Sequence, residues 1–549
     1  MTSLDVTPDS ADVSVSETGA GAGDGSRDWL AGRVIGRVDV AIAVAMGALV
    51  VAIAYVFRSI VVPTDPWHYV MSAMHFPSKE WVPLGYTRYG IVLASLPPAR
   101  LLGNAQISYY FWPLLSAGVL ATTVALLARR FWGWTAAVVA LVLLFSNRIM
   151  FFNLSRGYPD LMSVALFSLA VLVALIARDR LVVHRRAAPW LLAVGFLLGW
   201  SFEVRESSIV AWPLIALILW RRGSVLRSLA LVSLPVFLWA LLDVGISGLF
   251  YGDPLLKLHV LSGLGGKPSG EVTTASIANH SWYVGQSRWF YLTFVPKAAL
   301  KTGGGIWMVA VGAVALLGLA VRNWPVRLMS VWFAGVYLLT VLPTGLLDPS
   351  HPRARIDVER YWIPFFPASA LAVGGLVAVL AGWVAGWLAT HGPLRQKSVA
   401  WRAVPAAALA VLVCWGPVAY GAGYATSSPA FAPNGGAALE DLRDHLRGRS
   451  FAAPRVWTDW ETARILPVYQ RDFLGGHKVW SGKPQSLTGT KLEPQPGDYV
   501  LLFSASSQTC TFCRVALGPW LKEHPQGPPA SWQTEYVSDT KNLVLYRVR

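Results

Sequence analysis

The stretch Thr64-Asp65-Pro66-Trp67-His68-Tyr69, followed about twenty residues later by Gly85-Tyr86-Thr87-Arg88-Tyr89, decides how this chain is read. It comes just after the first strongly apolar run, so a carboxylate, an imidazole and a guanidinium arrive together at the mouth of a membrane span. Charges there are costly and point to function by default. Taken alone, Asp65 could also be a turn or helix-cap residue, because Asp-Pro pairs start turns and first turns favour acids. Its company along the chain decides between the two.

The flanking sequence is that of a polytopic α-helical membrane protein: 549 residues, 54% hydrophobic and 14% charged, with a mean hydropathy of +0.47. The net charge of +16 falls in small clusters between apolar runs, which encodes topology and argues against nucleic acid as a partner. About eleven runs reach span length, near residues 39–57, 107–128, 131–147, 160–177, 188–204, 207–220, 228–249, 304–321, 326–343, 363–389 and 403–422. Arg129/Arg130, Arg178/Arg180/Arg185/Arg186, Arg221/Arg222/Arg227, Arg322/Arg327 and Arg395/Lys397/Arg402 occupy every second connection. The positive-inside rule makes these cytoplasmic, with the N-terminus inside and the C-terminal segment outside, in a plasma membrane. The first run is read as a retained signal anchor, with no cleaved leader.

Three regions follow. Residues 1–36, rich in Ser, Gly, Ala and Asp, are expected to be disordered and cytoplasmic. Residues 37–425 form the membrane domain, with long outer loops at 58–106 and 250–303; within the first, Ile91 to Leu102 is short, broken by Pro97-Pro98, and expected to lie along the interface. After a linker at Pro433-Asn434-Gly435-Gly436, residues 430–549 read as a small extracytoplasmic α/β domain. Helices are expected over Leu439–Arg447 and Thr462–Tyr469, and strands at Arg455–Trp457, Lys478–Trp480, Tyr499–Phe503 and Leu543–Tyr546. Cys510 and Cys513 are too few for a zinc site; a local disulfide is the expected use, with a free pair the alternative, and Cys414 lies in an apolar run.

The outer face collects further candidates. Gly157-Tyr158-Pro159-Asp160 places a second acid at a span mouth, and Glu203, Arg205 and Glu206 sit between two apolar runs with hardly any loop. His351-Pro352-Arg353-Ala354-Arg355 and Glu359-Arg360-Tyr361-Trp362-Ile363-Pro364 concentrate positive charge where the positive-inside rule expects little. That excess calls for an anion, and Arg88, Arg205, Arg355 and Arg360 are candidates to clamp a phosphate. An apolar bundle with outer carboxylates and arginines suits a substrate with a lipid tail, a phosphate and a sugar. One base, Asp65, and a cationic clamp suffice to move the sugar to a hydroxyl, because phosphate leaves without a general acid. His68, His75 and Asp65 have a nonspecific spacing for metal, so no obligatory cofactor is expected and a divalent cation stays the open alternative.

These residues resemble the GT-C glycosyltransferases of the protein O-mannosyltransferase and aminoarabinose transferase type, extending to actinobacterial envelope arabinosyl- and mannosyltransferases. The resemblance covers roughly residues 38–425 and is carried by Asp65 with Tyr69, Tyr86-Thr87-Arg88-Tyr89-Gly90, Tyr158-Pro159-Asp160-Leu161, Val204-Arg205-Glu206-Ser207 and Arg360-Tyr361-Trp362-Ile363-Pro364. It implies a polyprenyl-phosphate sugar donor, an inverting transfer, Asp65 as the catalytic aspartate, and Arg88, Arg205 and Arg360 at the donor phosphate. His68, Tyr69, Tyr89, Glu206 and Tyr361 are then expected around donor or acceptor. Arabinofuranose or mannose is the favoured sugar, and a cell-envelope glycan, glycolipid or protein the acceptor. The chain departs from many relatives in having Pro66 after Asp65, where an adjacent acid is common, which shifts a helper role to Asp160 or His68; Arg88 also replaces a common lysine. A lipid flippase or transporter would need internal repeats that the sequence lacks. A scaffold would not need so many spans.

Overall fold

The computed structural model describes residues 32–78, 88–183, 186–220, 224–262, 281–352, 354–391, 404–447, 452–489, 492–504 and 507–549. The expected disorder of residues 1–36 falls almost wholly outside them, as does Arg353. The chain is a polytopic α-helical membrane protein with a small C-terminal sheet domain. Its helices in order are α1 (Arg37–Val56), α2 (Asp65–His75), α3 (Tyr89–Leu102), α4 (Gln106–Phe131), α5 (Trp134–Phe145), α6 (Arg148–Asn153), α7 (Pro159–Val182), α8 (Ala188–Val204), α9 (Trp212–Leu219), α10 (Val225–Ile246) and α11 (Leu256–Ser262). They continue with α12 (Arg288–Leu300), α13 (Gly305–Leu317), α14 (Trp324–Val341), α15 (Phe366–His391) and α16 (Val404–Ser427).

All eleven apolar runs coincide with helices, but seven helices, not eleven, are long and apolar enough to cross a membrane among the described residues. The other four runs form α5, α8, α13 and the pair made by the 3-10 turn Glu206–Ala211 with α9, all shorter. Hydropathy counts apolar residues whether they face lipid or neighbouring helices, so an apolar run alone does not set the length of the helix it forms. α7 is the packing centre, with 83% of its apolar window buried, against 22% in α1 and 17% in α10. The outer helices accordingly carry exposed Leu49, Phe237, Leu241, Leu412 and Trp415, the side chains a lipid-facing surface requires.

Within the loop 58–106 the described residues hold α2 and α3. α3 forms in spite of Pro97 and Pro98, each of which removes a helical N–H. The Ala94 carbonyl, left without the N–H of residue 98, accepts from Trp112 Nε1 at 2.6 Å. A tertiary donor thus replaces the lost helical one.

The C-terminal domain holds α17 (Ala438–Leu446), α18 (Trp460–Ile465) and α19 (Thr511–Glu523). Its strands are β1 (Ala452–Thr458), β2 (Arg471–Asp472), β3 (Gly475–Lys478), β4 (Ser481–Ser486), β5 (Tyr499–Phe503), β6 (Trp532–Val537) and β7 (Leu543–Val548). The main sheet has the order β4-β1-β5-β7-β6, parallel from β4 to β5 and antiparallel beyond, with β2 and β3 a separate ribbon. Alternation sorts its residues: Trp457, Val500 and Leu502 pack with Leu517 and Trp520 of α19, while Val456, Leu501, Phe503 and Leu545 join a core continuous with the bundle. The expected strand at Lys478–Trp480 is corrected: β3 ends at Lys478, and Trp480 is buried outside any strand. Cys510 and Cys513 are disulfide-bonded at the start of α19, and Cys414 is free.

The domain is fastened to the bundle. Arg58 forks onto Glu440, with Nε 3.1 Å from Oε1. Val61 N–H donates to Tyr469 Oη at 3.0 Å, and Ile107 N–H to the Phe473 carbonyl at 3.0 Å. Pro433 to Gly436 is a tight turn, not a loose linker, behind the fully buried Phe431.

Candidate active site

Asp65 opens α2 with Pro66 behind it, where an acid complements the exposed N–H groups of a first turn. The same carboxylate also faces across the bundle: its Oδ2 lies 3.1 Å from Nη2 of Arg360, carried by the 3-10 segment Glu359–Phe365. Arg360 Nε is 3.9 Å from Asp160 Oδ2, and Asp160 Oδ1 is 3.2 Å from Arg205 Nε. Four residues from four separate segments therefore form one chain of alternating charge. The Tyr361 ring lies between the two cations, 4.6 Å from Arg205 Cζ and 5.5 Å from Arg360 Cζ, and Tyr158 faces Arg360 at 4.0 Å. Each guanidinium is held by an aromatic face as well as by a carboxylate.

Access distinguishes the acids. The Asp65 side chain is 32% exposed, that of Asp160 only 3%. Asp65 can meet a substrate; Asp160 is a buried counter-charge holding two arginines. Asp160 Oδ2, Arg360 Nε and Glu206 Oε1 are buried with no hydrogen-bond partner among the described residues. Buried polar atoms of that kind are uncommon and call for an explanation.

Arg88 joins from the other side, with Nε 3.5 Å from Glu206 Oε1 and a hydrogen bond donated to the Tyr69 hydroxyl. Tyr69 is one helical turn beyond Asp65 on α2, so Arg88 braces the helix that carries the acid. Gly90 makes this approach feasible: a Cβ there would meet Glu203 C and Val204 N at 2.6 Å. The contact brings the Arg88 and Arg205 segments together.

Other candidates lie elsewhere. Tyr89 points away, its hydroxyl 3.1 Å from Ser247 Oγ, which donates to Asp243 Oδ1 at 3.1 Å. Glu203 separates from Arg205 and Glu206: Lys257 pairs with both Glu203 and Asp243, the latter at 2.8 Å, in a second buried cluster. Sequence reading missed Asp243 and Lys257, although a single acid inside the apolar run 228–249 was a signal. Arg355 forks onto Asp357 at 2.8 and 2.6 Å and does not join the Asp65 chain. His351 pairs with Asp348 at 3.1 Å in an exposed position. His75 Nδ1 lies 2.9 Å from the Met71 carbonyl, within its own helix. Among the described residues no three His, Cys, Asp or Glu side chains gather where a metal could be held.

The C-terminal domain reaches this mouth. Arg464 of α18 lies over Trp67 at 5.4 Å and over Trp460 at 4.4 Å, and pairs with Glu461 at 3.3 Å. His68, edge-on to Trp67 at 5.0 Å, is held below the usual imidazole range by burial and by Arg464, against the pull of Asp65. Burial pushes Glu461 up to about 7, with Arg464 opposing.

No protein-family model and no curated protein matches the sequence. Among solved structures, the chain is similar to apo ArnT from Cupriavidus metallidurans at 15% identity and a TM-score of 0.49, covering 92% of this chain and 97% of that one. ArnT bound to undecaprenyl phosphate gives 15% identity, a TM-score of 0.47 and coverage of 93% and 97%. The archaeal oligosaccharyltransferase AglB from Archaeoglobus fulgidus, in complex with an inhibitory peptide and a dolichol-phosphate, gives 13%, 0.41, and 93% and 74%.

Proposed function

We propose that the chain is a GT-C-type membrane glycosyltransferase that moves a sugar from a polyprenyl-phosphate donor to an acceptor hydroxyl. The observation that carries this reading is Arg360 between the accessible Asp65 and the buried Asp160, with Arg360 Nε and Asp160 Oδ2 unsatisfied. A phosphate offers the anionic acceptors that Arg360, Arg205 and Arg88 suit. On taking it, Arg360 shares its guanidinium between the phosphate and Asp65, which leaves Asp65 freer to accept a proton.

In the proposed reaction Asp65 takes the acceptor O–H proton as the oxygen attacks the anomeric carbon. The bond from that carbon to the phosphate oxygen breaks, and its electron pair leaves on the phosphate. The arginines stabilise that charge. Attack opposite the leaving group inverts the centre. Asp160 and Glu206 act as positioning residues, and Tyr69, Tyr158 and Tyr361 hold the guanidiniums. We further assign arabinofuranose or mannose as the sugar, an envelope glycan or glycolipid as acceptor, and the outer face of the plasma membrane as the place of reaction. Trp67, His68 and the α18 face of the C-terminal domain are positioned to meet the acceptor.

The test is sugar release by the purified protein in proteoliposomes supplied with a polyprenyl-phosphate arabinofuranose or mannose and an oligosaccharide or glycolipid acceptor. The reading expects glycosylated acceptor and free polyprenyl phosphate in equal amounts. Movement of intact donor across the bilayer without cleavage would favour a flippase instead.

A further inference from the structure

The β2-β3 hairpin of the C-terminal domain reaches the end of a membrane span. Asp472 pairs with Gly475 across it, so Phe473 and Leu474 form its tip. The Phe473 ring lies edge-on to Tyr55 at 5.3 Å and stacks on Tyr110 at 5.8 Å. Tyr55 is the last residue but one of α1. The 20 residues of that helix rise about 30 Å, the thickness of a bilayer's hydrocarbon core. The tip therefore sits where α1 leaves the bilayer. Gly475 also brings it against α3: a Cβ there would lie 3.0 Å from the Leu102 carbonyl oxygen and 3.6 Å from Ala105 Cβ, and its φ of +106° suits glycine alone.

The chain neighbours of Gly475 and Leu102 are apolar and uncovered: Leu474 is 68% exposed and Leu101 82%. A single exposed leucine is ordinary, but these two flank one contact at the end of a span. Cations surround them. Arg471 Nη1 donates to the Gly476 carbonyl, which lays its guanidinium along the hairpin. Lys478 stands opposite Arg471 in register, and the exposed Arg100 precedes Leu101. Arg100, Arg471 and Lys478 have no carboxylate within 4.0 Å among the described residues, and the one acid of the hairpin, Asp472, is taken by Arg447. Like charges directly opposite each other in a ribbon repel, and an anionic surface relieves that repulsion. Apolar side chains at a span end, with cations around them, match the boundary between acyl chains and anionic headgroups.

We propose that the β2-β3 tip, with Leu101 beside it, dips into the lipid surface, where Arg100, Arg471 and Lys478 bind the headgroups of anionic phospholipids. The C-terminal domain is then held to the membrane as well as to the bundle. This surface is apart from the Asp65 chain and stands whether or not the protein transfers sugars. Net negative lipids are favoured over zwitterionic ones, because a zwitterion brings its own cation to the three on the protein.

The test places photoreactive p-benzoylphenylalanine at position 474 of the full-length protein in nanodiscs of phosphatidylcholine and phosphatidylglycerol in equal parts, with adducts read by mass spectrometry. Lipid adducts are expected, phosphatidylglycerol exceeding phosphatidylcholine by about threefold or more. The same probe at position 515 should give none, because Val515 is equally exposed, at 68%, on α19, which packs on the sheet face turned from the bundle. Arg471→Gln with Lys478→Gln should bring the two lipids close to parity. If that variant does not fold, the otherwise unsubstituted chain in about 1 M salt replaces it, since a screening length of ~3 Å should likewise abolish the preference. Absence of lipid adducts at 474, adducts to a second copy of the chain in their place, or a preference that survives both the double substitution and salt would overturn the proposal.

Discussion

Arg360→Ala removes a side chain that pairs with both Asp65 and Asp160, so its consequences can be worked through in some detail. At an effective dielectric of ~20, its contacts at 3.1 and 3.9 Å are each worth about 4–5 kcal/mol of gross Coulomb attraction. Desolvation cancels much of that, and breaking a buried pair typically costs about 3–5 kcal/mol because a charge is left uncompensated. Two features reduce the figure here. Asp160 keeps Arg205 at 3.2 Å, and Asp65 is about one-third exposed to solvent at 32%. The expected loss of stability is therefore about 2 kcal/mol, measured by thermal unfolding in detergent. The loss in donor affinity should be larger, because a charge-assisted contact to phosphate disappears together with the group that separates two acids; about a hundredfold is expected, read by titration with a polyprenyl-phosphate sugar. Arg360→Lys should recover part of the stability and less of the affinity, since a point charge cannot contact two acids and a phosphate at once. Donor affinity unchanged in Arg360→Ala, with weaker acceptor use instead, would refute the assignment.

Other outcomes follow from the same geometry. Lys257→Met leaves Glu203 and Asp243 facing each other in a buried setting and should destabilise the protein by about 3–5 kcal/mol; adding Glu203→Gln should restore part of this, and an unchanged unfolding temperature in Lys257→Met would contradict the cluster's role. Glu461 titrates at about 7 in the folded protein against 4.5 ordinarily, so the native state binds the proton more tightly and stability falls as pH rises across that window. Glu461→Gln should flatten this slope and reduce the total stability change across the window by about 3 kcal/mol, leaving the part due to Asp459, which burial pushes up to about 6. A wild-type slope in Glu461→Gln unfolding curves between pH 4.5 and 7 would show that this carboxyl is not the source.

What the sequence made legible follows from what it can encode locally. Apolar runs located all the described long helices, because burial in lipid or protein needs the same side chains, yet the runs could not tell α8 or α13 from full spans. Charges beside spans were readable individually, since each is costly: Asp65, Asp160, Arg88, Arg205, Glu206 and Arg360 do gather at one end of the bundle. Pairing was not readable. Which of Arg355 or Arg360 meets Asp65, or that Glu203 turns to Lys257 and not to Arg205, depends on the packing of distant segments. Strand β4, Ser-Gly-Lys-Pro-Gln-Ser, has no alternating apolar pattern; its pairing with β1 is set by the neighbouring strand. The approach of Arg464 to Trp67 joins residues almost four hundred positions apart and leaves no local mark.

The central claim is that Asp65 takes the acceptor proton while the arginines hold the phosphate. Asp65→Asn keeps the side chain's size and removes the base. Donor binding and single-turnover sugar transfer by this variant, measured side by side with the wild type in proteoliposomes, test the claim most directly. The account predicts donor affinity within a few-fold of wild type and a transfer rate lower by about 10²–10⁴. Transfer at the wild-type rate would contradict it.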